Sequence, residues 1–124
     1  MKKYCVSLEL AKEMKELRFN QESLFYWIKW LDGDIMLKWK WEAEERKRQM
    51  GRCVEIYPAY TVGELGEMLP KRIEGGWLTI EKGVDKWGIS YVWGNRHKEY
   101  SIVCDTESNA RAKMLIYLKK EGII

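Results

Sequence analysis

The sequence predicts an α+β fold in which helices pack on a mostly antiparallel sheet made of a hairpin plus a three-stranded meander. Three observations lead there. Residues 105–124 carry helix signals at both ends. The run Leu24 to Trp30 alternates with period two and is followed by the turn pair Asp32-Gly33. Further alternating segments, Trp77 to Lys82, Trp87 to Trp93 and Glu99 to Cys104, are separated by the turn-forming stretches at 83–85 and 94–97.

In chain order, Ser7 caps a first helix whose Leu10, Ala11, Met14 and Leu17 share one face, with Glu9, Lys12, Glu13 and Glu16 on the other. The hairpin follows. With Asp32 and Gly33 as a two-residue turn, Trp30 faces Ile35, Ile28 faces Leu37, Tyr26 faces Trp39 and Leu24 faces Trp41, which makes one side wholly apolar or aromatic. The opposite side then collects Phe25, Trp27, Lys29, Met36, Lys38 and Lys40. Glu42 to Arg52 is almost entirely charged and offers no apolar stripe, so it reads as a solvated, mobile connection within the domain. Cys53 to Tyr57 reads as a short third strand that Pro58 ends. Thr61-Val-Gly-Glu64 supplies a capping box for a second helix that Pro70 stops. Gly63 and Gly66 each weaken that helix by about 1 kcal/mol relative to alanine, which points to a close approach.

The closing helix is capped by Thr106 or Asp105, with Glu107 in its first turn and Lys119 and Lys120 in its last, charges that oppose the helix dipole. Ala110, Met114, Tyr117 and Leu118 form its stripe, with Leu115 on the edge. Gly122 and Ile123 complete a Schellman stop in which Ile123 folds back on Leu118.

At 124 residues and 46% apolar composition, the chain fits a single domain, 1–124, that folds without metal or disulfide support. A net charge of +3 gives no general push toward nucleic acid or membrane, so any such partner must rely on local clustering. Cys5, Cys53 and Cys104 form no C-x-x-C pair and read as reduced, buried thiols. Charges interrupt the N-terminal apolar residues before they could serve as a signal peptide, and no run is long enough to span a bilayer. The expected location is the cytoplasm.

YTVGELGEMLP at Tyr60 to Pro70 and NARAKMLIYLKKEGII at Asn109 to Ile124, with a weaker echo in CVSLELAKEMKEL and QESLFYW, resemble small uncharacterised proteins encoded in prophages and mobile elements of gut anaerobic bacteria. The similarity spans most of the chain but rests on core helices and caps. It implies a link to mobile elements and no particular activity or functional residue.

The chemistry-bearing residues are sparse. His97, the single histidine, sits in a turn without a Ser or Cys partner and reads as a solvated residue. Glu64 and Glu67, three apart on a helix, have the spacing of a magnesium-holding pair, but the capping box already accounts for Glu64. Asp32-Gly-Asp34 lacks the further ligands of a calcium loop, and the glycines form no phosphate cradle. No catalytic residue, metal or cofactor is therefore expected. The surplus is seven tryptophans. The face holding Phe25, Trp27, Lys29, Lys38 and Lys40 is the candidate binding surface, either covered by a helix of this or another chain or open to stack single-stranded bases. The expected function is that of a non-enzymatic accessory protein of a phage or mobile element, acting through protein contacts as a homo-oligomer or adaptor. The alternative is a single-stranded nucleic-acid or RNA-binding module.

Overall fold

The computed structural model describes residues 2–50, 54–94 and 98–124; Cys53 and His97 lie outside them. The architecture is α+β with two antiparallel sheets. After a short 3-10 turn, Lys2–Tyr4, the order is α1 (Leu8–Glu16), β1 (Phe25–Trp30), β2 (Ile35–Trp39), α2 (Lys40–Met50), β3 (Val54–Pro58), α3 (Val62–Met68), β4 (Arg72–Ile73), β5 (Gly76–Lys82), β6 (Trp87–Val92), β7 (Lys98–Cys104) and α4 (Glu107–Lys120). The first sheet has the order β2-β1-β3 and the second is the meander β4-β5-β6-β7. No helix among the described residues is long and apolar enough to cross a membrane.

The caps read from the sequence are present. Ser7 Oγ accepts from the Leu10 amide at the start of α1, and Thr106 Oγ1 accepts from the Asn109 amide at the start of α4. The Thr61 box closes in both directions: Thr61 Oγ1 accepts from Glu64 N at 3.2 Å, and Glu64 Oε1 accepts from Thr61 N at 2.9 Å. At the far end of α4, Ile123 N donates to Leu118 O and Gly122 N to Lys119 O, with Gly122 at a φ of +74°, the bonding pattern of a Schellman stop. Gly66 is explained by the close approach expected of it, since a β-carbon there would run into the Arg111 guanidinium, which bonds Val62 O and Glu107. Gly63 has no comparably tight neighbour.

α4 lies between the second sheet, where it meets β6 and β7, and the helices α1 and α3. This enclosure changes its stripe. Ala112 and Ile116 are buried along with Ala110, Met114, Leu115 and Leu118, while Tyr117 sits at the exposed margin against Tyr100. A helix packed on two sides buries more than the single face that periodicity alone marks.

The N-terminal residues lace α4 to the first sheet. Ser108 Oγ reaches Cys5 O and Lys3 O, Asn109 Oδ1 accepts from Ser7 N, and Val6 N donates to Tyr60 O. One apolar cluster results, running from Phe25 and Trp27 through Val6, Met14, Tyr60 and Leu65 to Ile89, Tyr91 and α4.

Two expectations are corrected here. The hairpin register is shifted by one residue: Phe25 pairs with Trp39, Trp27 with Leu37, Ile28 with Met36 and Lys29 with Ile35. The loop holds Leu31, Asp32 and Gly33 rather than Asp32 and Gly33 alone, because Trp30 N bonds Asp34 O at 2.9 Å and Gly33, at a φ of +94°, returns its N–H to Trp30 O. A glycine in the left-handed region at the end of a three-residue loop is the other way in which an Asp-Gly pair closes a hairpin. The segment 42–52, read as an irregular connection, is helical as far as Met50, as α2, and its Gly51 and Arg52 lie outside the described residues. Its glutamates, lysines, arginines and glutamine are good helix formers, and Ala43, 2% exposed, is buried where α2 meets the first sheet.

Candidate interaction surface

The shifted register divides the candidate set. Side chains alternate along each strand, so Phe25, Trp27 and Lys29 share a face with Ile35, Leu37 and Trp39, while Lys38 lies on the α2 side with Tyr26, Ile28 and Met36. Lys40 begins α2. Both lysines on the α2 side are paired: Lys38 Nζ is 3.5 Å from Glu42, and Lys40 Nζ is 3.0 Å from Glu22, whose carboxylate holds the lysine above its ordinary pKa.

Phe25 and Trp27 are buried, at 5% and 7% exposure. The indole N–H of Trp27 donates to Val6 O at 2.8 Å, which fastens the N-terminal segment across the first sheet. The ring that base stacking would require therefore belongs to the core of its own chain. Phe25 and Trp27 belong to the main apolar cluster, and the N-terminal segment is fastened over Trp27 at Val6.

The unburied part of that face lies farther out, on β2. Ile35 is 47% exposed and Trp39 51%; the Trp39 ring leans on Phe25 with centroids 4.3 Å apart. Together with Leu37 they line a groove that Lys2 and Glu42 border. Just beyond, Trp41 is 66% exposed at the start of α2. Sequence reasoning puts Ile35 and Trp39 on the wholly apolar or aromatic side of the hairpin. The available signal is that β2 carries neither proline nor glycine, which a strand meant to end a sheet commonly does.

Burial, reinforced by the Glu64 carboxylate, pushes the Cys5 thiol up to about 11, so it is protonated and a poor nucleophile at neutral pH. Cys104 is likewise a buried free thiol. Glu64 Oε1 is occupied by Thr61 N and by Ser23 Oγ at 2.9 Å, both structural bonds. Among the described residues, no group of three or more His, Cys, Asp and Glu side chains is placed to hold a metal ion. In comparisons with known proteins, no family model, no curated protein and no solved structure matches this chain.

Proposed function

We propose that the chain is a non-enzymatic accessory protein that works through protein–protein contacts, made at the exposed apolar edge of the first hairpin. The observation that carries this reading is the contrast along one sheet face: Phe25 and Trp27 are enclosed, whereas Ile35 and Trp39 on the edge strand stand half in solvent. Half-exposed aromatic and branched aliphatic side chains grouped on an edge strand are the composition of a protein contact. The resemblance of the Tyr60 to Pro70 and Asn109 to Ile124 segments supports placing it with phage or mobile-element proteins that work in the cytoplasm.

The competing reading, single-stranded nucleic acid, requires an open aromatic ring beside unpaired lysines. Titration with labelled mixed-sequence RNA and DNA oligonucleotides over a range of salt separates the two. The expected result is no tight binding even at low ionic strength. Tight binding that weakens steeply with salt, with the slope reduced by about one counterion in Lys38→Ala, would overturn the proposal.

A further inference from the structure

The exposed edge is specific about its occupant. In an antiparallel ladder, alternate residues direct their backbone groups to the neighbouring strand and the residues between direct theirs away. Trp30 N bonds Asp34 O, and Lys40 N bonds Leu24 O at 2.8 Å, so Asp34, Met36, Lys38 and Lys40 face β1. Ile35, Leu37 and Trp39 therefore present their N–H and C=O groups on the side where, among the described residues, no strand of the first sheet lies.

The other sheet edges are guarded. On β3, Lys15 Nζ caps the outward carbonyl of Ile56 at 3.2 Å, and Pro58 removes a donor. β4 is only two residues long, and the length of β5 that runs past it ends in Glu81 and Lys82. β7 carries an irregularity opposite the stretch between Ile89 and Tyr91, with Tyr100 at a φ of +52°. Short strands, bulges, prolines and lysines are the ordinary protections against edge pairing. The lysine of β2 offers no such protection, because Lys38 points to the α2 side and is paired with Glu42.

We infer that β2 pairs antiparallel with β2 of a second copy about a two-fold axis through Leu37, joining two first sheets into one. This rests on the reading of the chain as a protein-contact module and names its partner. The register follows from the backbone, since an axis at Leu37 lets Ile35, Leu37 and Trp39 of each copy all exchange bonds with the other. It puts Ile35 opposite Trp39 of the second copy and Leu37 opposite its own counterpart, an uninterrupted apolar row. On the other side, Met36 meets Lys38 of the second copy and Asp34 meets Lys40, so opposite charges face each other twice and no two lysines are opposed. Moving the axis to Lys38 would set the two lysines against one another. The pairing is self-complementary in backbone register, polarity and charge, as a two-fold contact must be.

Analytical ultracentrifugation of the full chain tests this, with Ile35→Lys, Asp34→Lys and Leu31→Lys as variants. Leu31 lies in the hairpin loop, off the edge, and is exposed, so its variant is a charge-matched control for Ile35→Lys. The wild type and Leu31→Lys are expected to dimerise. Ile35→Lys should weaken the dimer by about 100-fold, and Asp34→Lys, which faces Lys40 of the second copy, by about tenfold at low salt and less at high salt. Far-ultraviolet circular dichroism and a thermal melt of each variant confirm that the monomer is folded; a folded Asp34→Lys keeps the test decisive should Ile35→Lys unfold. A wild type that stays monomeric, or a dimer that survives both edge variants, overturns the inference and leaves the protein-contact reading standing. Salt-steep oligonucleotide binding by the same preparation would overturn that underlying reading instead.

Discussion

Trp27→Ala is expected to destabilise the fold by about 3 to 5 kcal/mol, a large part of the roughly 5 to 15 kcal/mol that holds a domain of this size together. The substitution empties a space between β1 and the N-terminal segment and also leaves Val6 O without its 2.8 Å partner. A buried carbonyl that loses its donor costs about 1 to 3 kcal/mol. Trp27→Phe separates the two effects, since it keeps most of the packing and removes only the N–H. It should fall between wild type and alanine in urea denaturation. An alanine variant with wild-type stability would mean that the Trp27 ring is not enclosed, and would return the stacking hypothesis to consideration.

Leu118→Ala is expected to cost about 2 to 5 kcal/mol, with Met114→Ala in the same range. Both side chains are fully buried where α4 lies between the second sheet and the helices α1 and α3, so neither cavity has a mobile surface to collapse into. Leu118 also anchors the stop of the helix, its carbonyl accepting from Ile123 N. Tyr117→Ala, at the exposed margin of the same helix, should cost clearly less despite removing a larger side chain. Equal losses at Leu118 and Tyr117, read from the midpoints of urea unfolding, would contradict the placement of α4.

These effects fall on elements that differ in how far the sequence exposes them. α4 is legible because its signals are local: Thr106, Gly122 and Ile123 act within a turn of where they stand. What its sequence hides is the second buried side, which depends on α1 and α3 arriving from elsewhere in the chain. α2 escapes because its charged composition conceals the buried Ala43. The hairpin is legible as a hairpin but not in register. Asp32-Gly33 serves a two-residue and a three-residue loop equally well, and a shift by one residue reassigns the partner of every residue on β2. The shift also divides the candidate surface. Phe25, Trp27 and Lys29 do share a face, but with Ile35, Leu37 and Trp39 instead of Lys38 and Lys40, and the accessible part of that face is its outer strand.

The register thus carries both the burial of Trp27 and the composition of the open edge, and nuclear magnetic resonance reads it directly. In the pairs of an antiparallel ladder that do not exchange hydrogen bonds, the two α-protons lie close together. The bonds of Trp30 to Asp34 and of Lys40 to Leu24 make Trp27 and Leu37 such a pair, as they do Phe25 with Trp39 and Lys29 with Ile35. A strong nuclear Overhauser effect between the α-protons of Trp27 and Leu37 is the result expected. A strong effect between the α-protons of Ile28 and Leu37 in its place would establish the two-residue turn, put Trp27 on the side of Lys38, and contradict the account of this surface.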